Sequence, residues 1–196
     1  MRKKMTLEKN VRSQRGFSVV ELSIAVAIML VLSAMAVPSV LQSIHIFRLN
    51  SAATSLQNIM EITRFSAVRK NTEIALRQTT LNGQQLFYVD LYGTGAYANT
   101  DPSYLLPLDI EWNPAGAPAA STTNLASTQA LASGDCIAFD ARGVVSYATC
   151  GAGTQVVWFM SVGLLNNNDG YRAVTVTPMG QAKAWTASSA GSWGTM

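Results

Sequence analysis

Gly16-Phe17-Ser18-Val19-Val20-Glu21 opens an apolar run that continues to Val37 and stops at Pro38. Glu21 is the only charged residue between Phe17 and Val37. At about 1.5 Å of rise per residue the run gives about 31 Å of helix, against a bilayer hydrocarbon core of about 30 Å. A carboxylate inside such a run costs about 2.5–3.5 kcal/mol even on lenient insertion scales, so it calls for a partner. The sixteen residues upstream are polar and basic. A cut after Gly16 would create an amine on Phe17, four residues from Glu21. One copy's amine would then be placed to neutralise another copy's carboxylate in an apolar surrounding.

A basic leader ending in Gly, then Phe, three small or apolar residues, Glu and a long apolar helix resembles the class III signal of type IV prepilins and pseudopilins. The resemblance implies cleavage between Gly16 and Phe17 by a membrane prepilin peptidase and N-methylation of Phe17. It also implies a role for Glu21 in assembly and a helix bend at Pro38. Two other readings of the same residues stay open. Ser33-Ala34-Met35-Ala36 contains an A-x-A pattern, so an ordinary secretory signal peptide would be cut after Ala36 and release a secreted β-domain protein. Against this, the apolar run exceeds the usual 7–15 residues and contains Glu21. A permanent, uncut anchor also satisfies the span length.

The chain has 196 residues and a formal charge of +3, but the basic excess is local. Arg2, Lys3, Lys4, Lys9, Arg12 and Arg15 against Glu8 give the first sixteen residues +5, leaving eight basic and ten acidic residues, or −2, beyond them. A basic cluster before a span stays cytoplasmic, which places the head outside the cytoplasm; the prepilin resemblance implies that the membrane is the inner one and the compartment the periplasm. In that oxidising compartment Cys136 and Cys150 are expected to pair, with two buried free thiols as the alternative. They flank the turn-like Asp140-Ala141-Arg142-Gly143.

Past Pro38 the helical period persists and becomes one-sided. Leu49, Ala52, Ala53, Leu56, Ile59, Met60 and Ala67 share one face, and Asn50, Thr54, Gln57, Glu61 and Arg64 the other. Glu61 and Arg64 stand close enough to pair weakly. The helix is expected to end near Lys70-Asn71, where Asn can cap it. His45, the only histidine, reads as a surface or interface residue.

From Thr72 the period turns to two. Asn82-Gly83 signals a hairpin before Leu86-Phe87-Tyr88-Val89, and Leu108 to Trp112 reads as a short strand. Asn113 to Ser133 reads as a long exposed loop. Further strands are expected at 136–139, 144–147, 155–161, 172–177 and 181–186, with a turn at Asn166 to Gly170 and a loose tail from Ala187. The fold class is therefore α+β: a long amino-terminal helix, its first half membrane-spanning and its second half amphipathic, followed by an antiparallel β head. The division is 1–16 leader, 17–71 helix with its transmembrane part at 17–37, and 72–196 periplasmic head.

Three head motifs are similar to the GspH/FimT group of minor pilins and pseudopilins. They are Arg64-Phe65-Ser66-Ala67-Val68-Arg69, Phe139-Asp140-Ala141-Arg142-Gly143 and Val174-Thr175-Val176-Thr177-Pro178-Met179-Gly180. Each is also good turn chemistry. The resemblance implies a non-enzymatic subunit of an envelope filament. Its partners would be other pilins or pseudopilins, the peptidase, the inner-membrane assembly platform and the membrane itself.

No P-loop, metal-ligand spacing or nucleophile set is present, so no cofactor and no metal are expected. Asn166 to Gly170 lacks the bidentate Glu of a calcium loop. Trp112, Trp158 and Trp185 read as core or strand-pair residues. Some FimT-like relatives carry Gly-Arg-x-Arg near the carboxyl terminus that contacts DNA, where this chain has Gly180-Gln181-Ala182-Lys183. Lys183, Arg172 and Arg142 are the candidates for a DNA-binding minor pilin. With so few cations, nucleic acid is not an expected partner.

Overall fold

The computed structural model describes residues 16–123, 125, 128–132, 134–150, 156–165, 170–188 and 191–196. The leader up to residue 15 and most of the turn expected at Asn166 to Gly170 (residues 166–169) lie outside them.

Helix α1 runs from Val19 to Lys70. Ser18 starts it: its Oγ accepts the Val20 N–H at 3.3 Å and its carbonyl accepts the Leu22 N–H at 3.1 Å. Asn71 ends it in the left-handed conformation, φ 51°. There the Thr72 N–H bonds Ala67 O and the Asn71 N–H bonds Val68 O, both at 3.2 Å, a Schellman closure. Pro38 lies inside α1, which continues through it. The helix is long and apolar enough to cross a membrane by length and composition.

By internal packing the chain forms one unit up to Leu41 and a second from Gln42 to Met196. In the first, the residues from Gly16 to Leu41 are exposed. In the second, the expected helix face is the buried one: Leu49, Ala52, Ala53, Leu56, Ile59, Met60 and Ala67, joined by Thr63 and Ser66. The buried Thr63 keeps its hydroxyl satisfied by donating to Ile59 O at 2.7 Å.

Eleven strands follow among the described residues: β1 (Ile74–Leu81), β2 (Gln84–Asp90), β3 (Ser103–Leu105), β4 (Ile110–Trp112), β5 (Thr128–Ala130), β6 (Cys136–Phe139), β7 (Val145–Ser146), β8 (Val157–Leu164), β9 (Tyr171–Val176), β10 (Ala182–Ala187) and β11 (Gly194–Thr195). One sheet has the order β3-β2-β1-β6-β7 and the other β11-β10-β9-β8-β4. All of these pairs are antiparallel; β5 adds to β8 in parallel. Asn82 (φ 52°) and Gly83 (φ 81°) form the two-residue β1–β2 turn, where both central residues need positive φ.

Register explains how a single helix fills the middle. Ile74, Leu76, Phe87, Val89, Ile137 and Phe139 share one face of the first sheet; Trp158, Met160, Val162, Val174 and Val176 share one face of the second. Both faces and the buried side of α1 form one core cluster.

Two sequence expectations need correction. The stretch from Asn113 to Ser133 is not simply an exposed loop. It contains a 3-10 turn (Ala120–Thr123) and β5, with Leu131 2% exposed. Ala117, Ala120 and Leu125 pack on the outer face of the second sheet, against Phe159, Tyr171 and Trp185. Nor are the described residues of the tail loose. Trp193 is buried edge-on to Phe159 at 5.3 Å, its indole N–H donates to Pro118 O, and β11 pairs with β10. Trp158 and Trp185 are core residues and Trp112 packs on Phe87 at 4.8 Å, as read from sequence.

Candidate functional site

Three parts of the chain carry candidate function: the start of α1, the junction of the three head motifs, and the basic residues of the head.

At the start of α1, Phe17 is 80% exposed and Glu21 lies in the first turn. Ser18 and Glu21 stand at capping-box spacing, and a carboxylate in a first turn meets the positive end of the helix dipole. Glu21 thus has a local reason to sit there as well as a proposed intermolecular one. Gly16 has nothing within 4 Å of where a Cβ would stand, so its surroundings in this chain alone do not require glycine.

The junction is built from all three head motifs. Asp140 shapes the β6–β7 turn: its Oδ1 accepts the N–H groups of Arg142 (2.9 Å) and Val144 (3.0 Å), and its Oδ2 pairs with the Arg142 guanidinium at 2.8 Å. Burial alone would raise the Asp140 pKa, but the Val144 N–H and the Arg142 contacts prevail and hold it below the ordinary carboxylate range. Gly143 (φ 76°) closes this turn, and its carbonyl accepts from Arg64 Nε at 3.0 Å. Gly180 (φ 77°) closes the β9–β10 turn, and a Cβ on it would stand 2.2 Å from Gly143 O. The Val145 N–H donates to Pro178 O at 3.0 Å. Arg64 therefore does not spend its Nε on Glu61, the pairing read from sequence; it ties the helix to the point where the two sheets meet.

The three basic candidates do not converge. Arg142 is held by Asp140. Arg172 is 8% exposed, donating Nε to Asn50 Oδ1 at 2.7 Å and Nη1 to Tyr171 O at 2.9 Å. Lys183 is exposed, with its ammonium 4.7 Å from the Trp185 ring centroid. Arg172 faces Thr186 across β9–β10 and Lys183 faces Thr175. Residues 183 and 186 have opposite parity, so the two cations leave opposite faces of the sheet.

Cys136 and Cys150 are bonded, Cα to Cα 5.1 Å. With Ala75 and Ala138 they cover the outer face of the first sheet. On the same face lies a site that sequence reading missed. Asp90, 2% exposed, accepts the N–H groups of Thr94 and Gly95 at 2.9 Å and Arg77 Nε at 3.0 Å. Burial opposes its charge, yet the Gly95 and Thr94 N–H groups and the Arg77 guanidinium lower its pKa. The Gly-Thr-Gly that follows it was its only sequence signal. Among the described residues no cluster of three metal-ligating side chains occurs. His45 is half-buried and has a partner.

Residues 11–37 match the prokaryotic N-terminal methylation motif. The chain thus carries that motif at the start of its long helix. It is also similar to two crystal structures of the Pseudomonas aeruginosa type IV minor pilin FimU, in space groups P21 and P65. Both are 14% identical over 74% of this chain, with a TM-score of 0.43, covering 91% and 96% of the crystallised chains. Comparison with curated protein sequences gives no match. The motif spans Gly16, Phe17 and Glu21 and ends one residue before Pro38.

Proposed function

We propose that this chain is a type IV pilin-like, non-enzymatic filament subunit, a minor type IV pilin or a type II secretion pseudopilin. The observation that carries the reading is the methylation motif at 11–37, placed on a helix whose later half is the centre of a β head. The chain enters the inner membrane with residues 17–37 spanning it and the head in the periplasm. Prepilin peptidase cuts after Gly16, Phe17 is N-methylated, and the assembly platform passes the mature chain into the filament. There the Phe17 amine of one subunit meets Glu21 of a neighbour, which removes an unpaired charge from an apolar core.

The test is amino-terminal and intact-mass analysis of the chain recovered from membranes. The expected mature protein begins with N-methylated Phe17. A chain beginning at Val37 would overturn the reading in favour of ordinary secretion, and an intact leader would leave a simple anchor. The scattering of Arg142, Arg172 and Lys183 supports no nucleic-acid role.

A further inference from the structure

Asp90 and Asp101 stand at the two ends of the loop that joins β2 to β3. Tyr88 pairs with Ser103, and the Val89 N–H donates to Pro102 O at 2.9 Å. One step further along this register, Asp90 comes opposite Asp101. Both are buried, Asp101 at 6% exposed, beneath loop residues that are exposed from Tyr92 to Ala96. Asp90 shapes the start of the loop, accepting the Thr94 and Gly95 N–H groups and pairing with Arg77. Asp101 is left incomplete. Its Oδ2 accepts the Ala98 N–H at 2.9 Å, but its buried Oδ1 has no hydrogen-bond partner among the described residues. Two carboxylates against the one Arg77 guanidinium leave a negative charge over, and like charges opposite each other on a sheet are unfavourable.

We propose that this loop binds a calcium ion, with Asp101 Oδ1 as its charged ligand and Asp90 as the residue that holds the loop. The spacing supports it. Counting Asp90 as the first residue, Gly95 is the sixth and Asp101 the twelfth. A twelve-residue calcium loop gives these places to its first carboxylate, the glycine of its sharp turn and its last carboxylate. Gly95 makes that turn with φ 72°. The carbonyls of Gly95, Ala96 and Ala98 each accept one bond, from Tyr88 Oη, Thr94 Oγ1 and the Asp101 N–H, and keep a second lone pair. Oxygen donors without sulfur or imidazole suit calcium rather than a transition metal. Tyr92 replaces the usual third-position ligand and Asp101 offers one oxygen instead of two. Affinity therefore belongs at the weak end, a dissociation constant of about 10⁻⁴–10⁻³ M. The sequence reading expects no metal, because an Asp at each end of a loop is ordinary until its oxygen is buried without a donor.

Full-length chain in detergent, stripped with EDTA, tests this with calcium, magnesium and terbium as probes. The Tyr88 ring lies 5.6 Å from that of Tyr97 and its hydroxyl reaches Gly95 O, so terbium in the loop should emit when the tyrosines are excited. Calcium should displace that emission. At tenfold above its dissociation constant it should raise the melting temperature by about 3–6 °C, and magnesium at the same concentration should do little. Asp101→Asn keeps an acceptor for the Ala98 N–H and removes the charge, so calcium should bind about tenfold more weakly or worse. Asp109→Asn, at the Arg48 pair, should bind as the wild type does. A wild-type chain with neither terbium emission nor a calcium shift up to about 10 mM would overturn the site. So would a shift of equal size with magnesium, or one undiminished in Asp101→Asn.

Discussion

Glu21 answers to a local effect and, in the proposed filament, to a collective one. In the first turn it is favoured by the helix dipole, whereas in lipid the same charge costs about 2.5–3.5 kcal/mol. Glu21→Ala should therefore leave membrane insertion intact or improved while depleting the chain from filament fractions; immunoblots of sheared and membrane material check both. Equal wild-type and variant levels in filaments would remove the proposed amine–carboxylate pair. Gly180 makes a different demand. An alanine there would take a left-handed backbone costing about 1–3 kcal/mol and would press its methyl against Gly143 O. Gly83→Ala has the same conformational cost but open space around it. Thermal melts should thus show Gly180→Ala well below Gly83→Ala, and equal melting points would refute the close approach. Asp90 and Asp140 have folded-state pKa values below their unfolded ones. In that window the unfolded chain binds more protons, so stability is complete above about pH 4 and declines as pH falls through the folded values. Asp90→Asn should flatten this acid limb in urea titrations run at successive pH values.

Elements were legible where their causes are local. The helix stop at Asn71 and the Asn82-Gly83 hairpin follow from residues that tolerate positive φ, so short-range reading finds them. The segment from Asn113 to Ser133 offered no such period. Its apolar residues are mostly alanines, and Ala117, Ala120 and Leu125 acquire a role only because Phe159, Tyr171 and Trp185 leave an outer sheet face to cover. The same holds for Trp193, whose burial depends on Phe159 and Pro118, both distant in sequence. At the methylation segment legibility was high, since the spacing of Gly16, Phe17 and Glu21 is itself the signal. At Asp90 the Thr94 and Gly95 donors are local, but the burial of the carboxylate and its Arg77 partner, reached from β1 across the hairpin, come only with the sheet. The Cys136–Cys150 bridge closes a loop with a sequence separation of 14. By loop-closure entropy its loss should cost about 3 kcal/mol. Cys136→Ser with Cys150→Ser should lower the melting temperature yet keep the far-UV circular dichroism, because the main core lies on the other face of the first sheet. Loss of the β signature would show that the bridge specifies the fold as well as stabilising it.

On the scale of the molecule, charge and connection matter most. The −2 balance beyond residue 16 and the dispersal of Arg142, Arg172 and Lys183 predict only weak, salt-sensitive nucleic-acid binding. A dissociation constant no tighter than about 10⁻⁶ M in physiological salt is expected. Fluorescence anisotropy on the detergent-solubilised chain decides, and tighter binding abolished by Lys183→Ala would make DNA a partner after all. Helix α1 has a mechanical consequence. It is unbroken from Val19 to Lys70, and its part from Leu49 onward is the middle of the head's core rather than a stalk attached to it. Tension applied at its amino-terminal end is therefore delivered as shear across Leu49, Leu56, Met60 and Ala67, which are seated together between two sheets. Such a joint yields only when many contacts slide at once, and a head held this way resists extraction far better than one hung from a flexible linker.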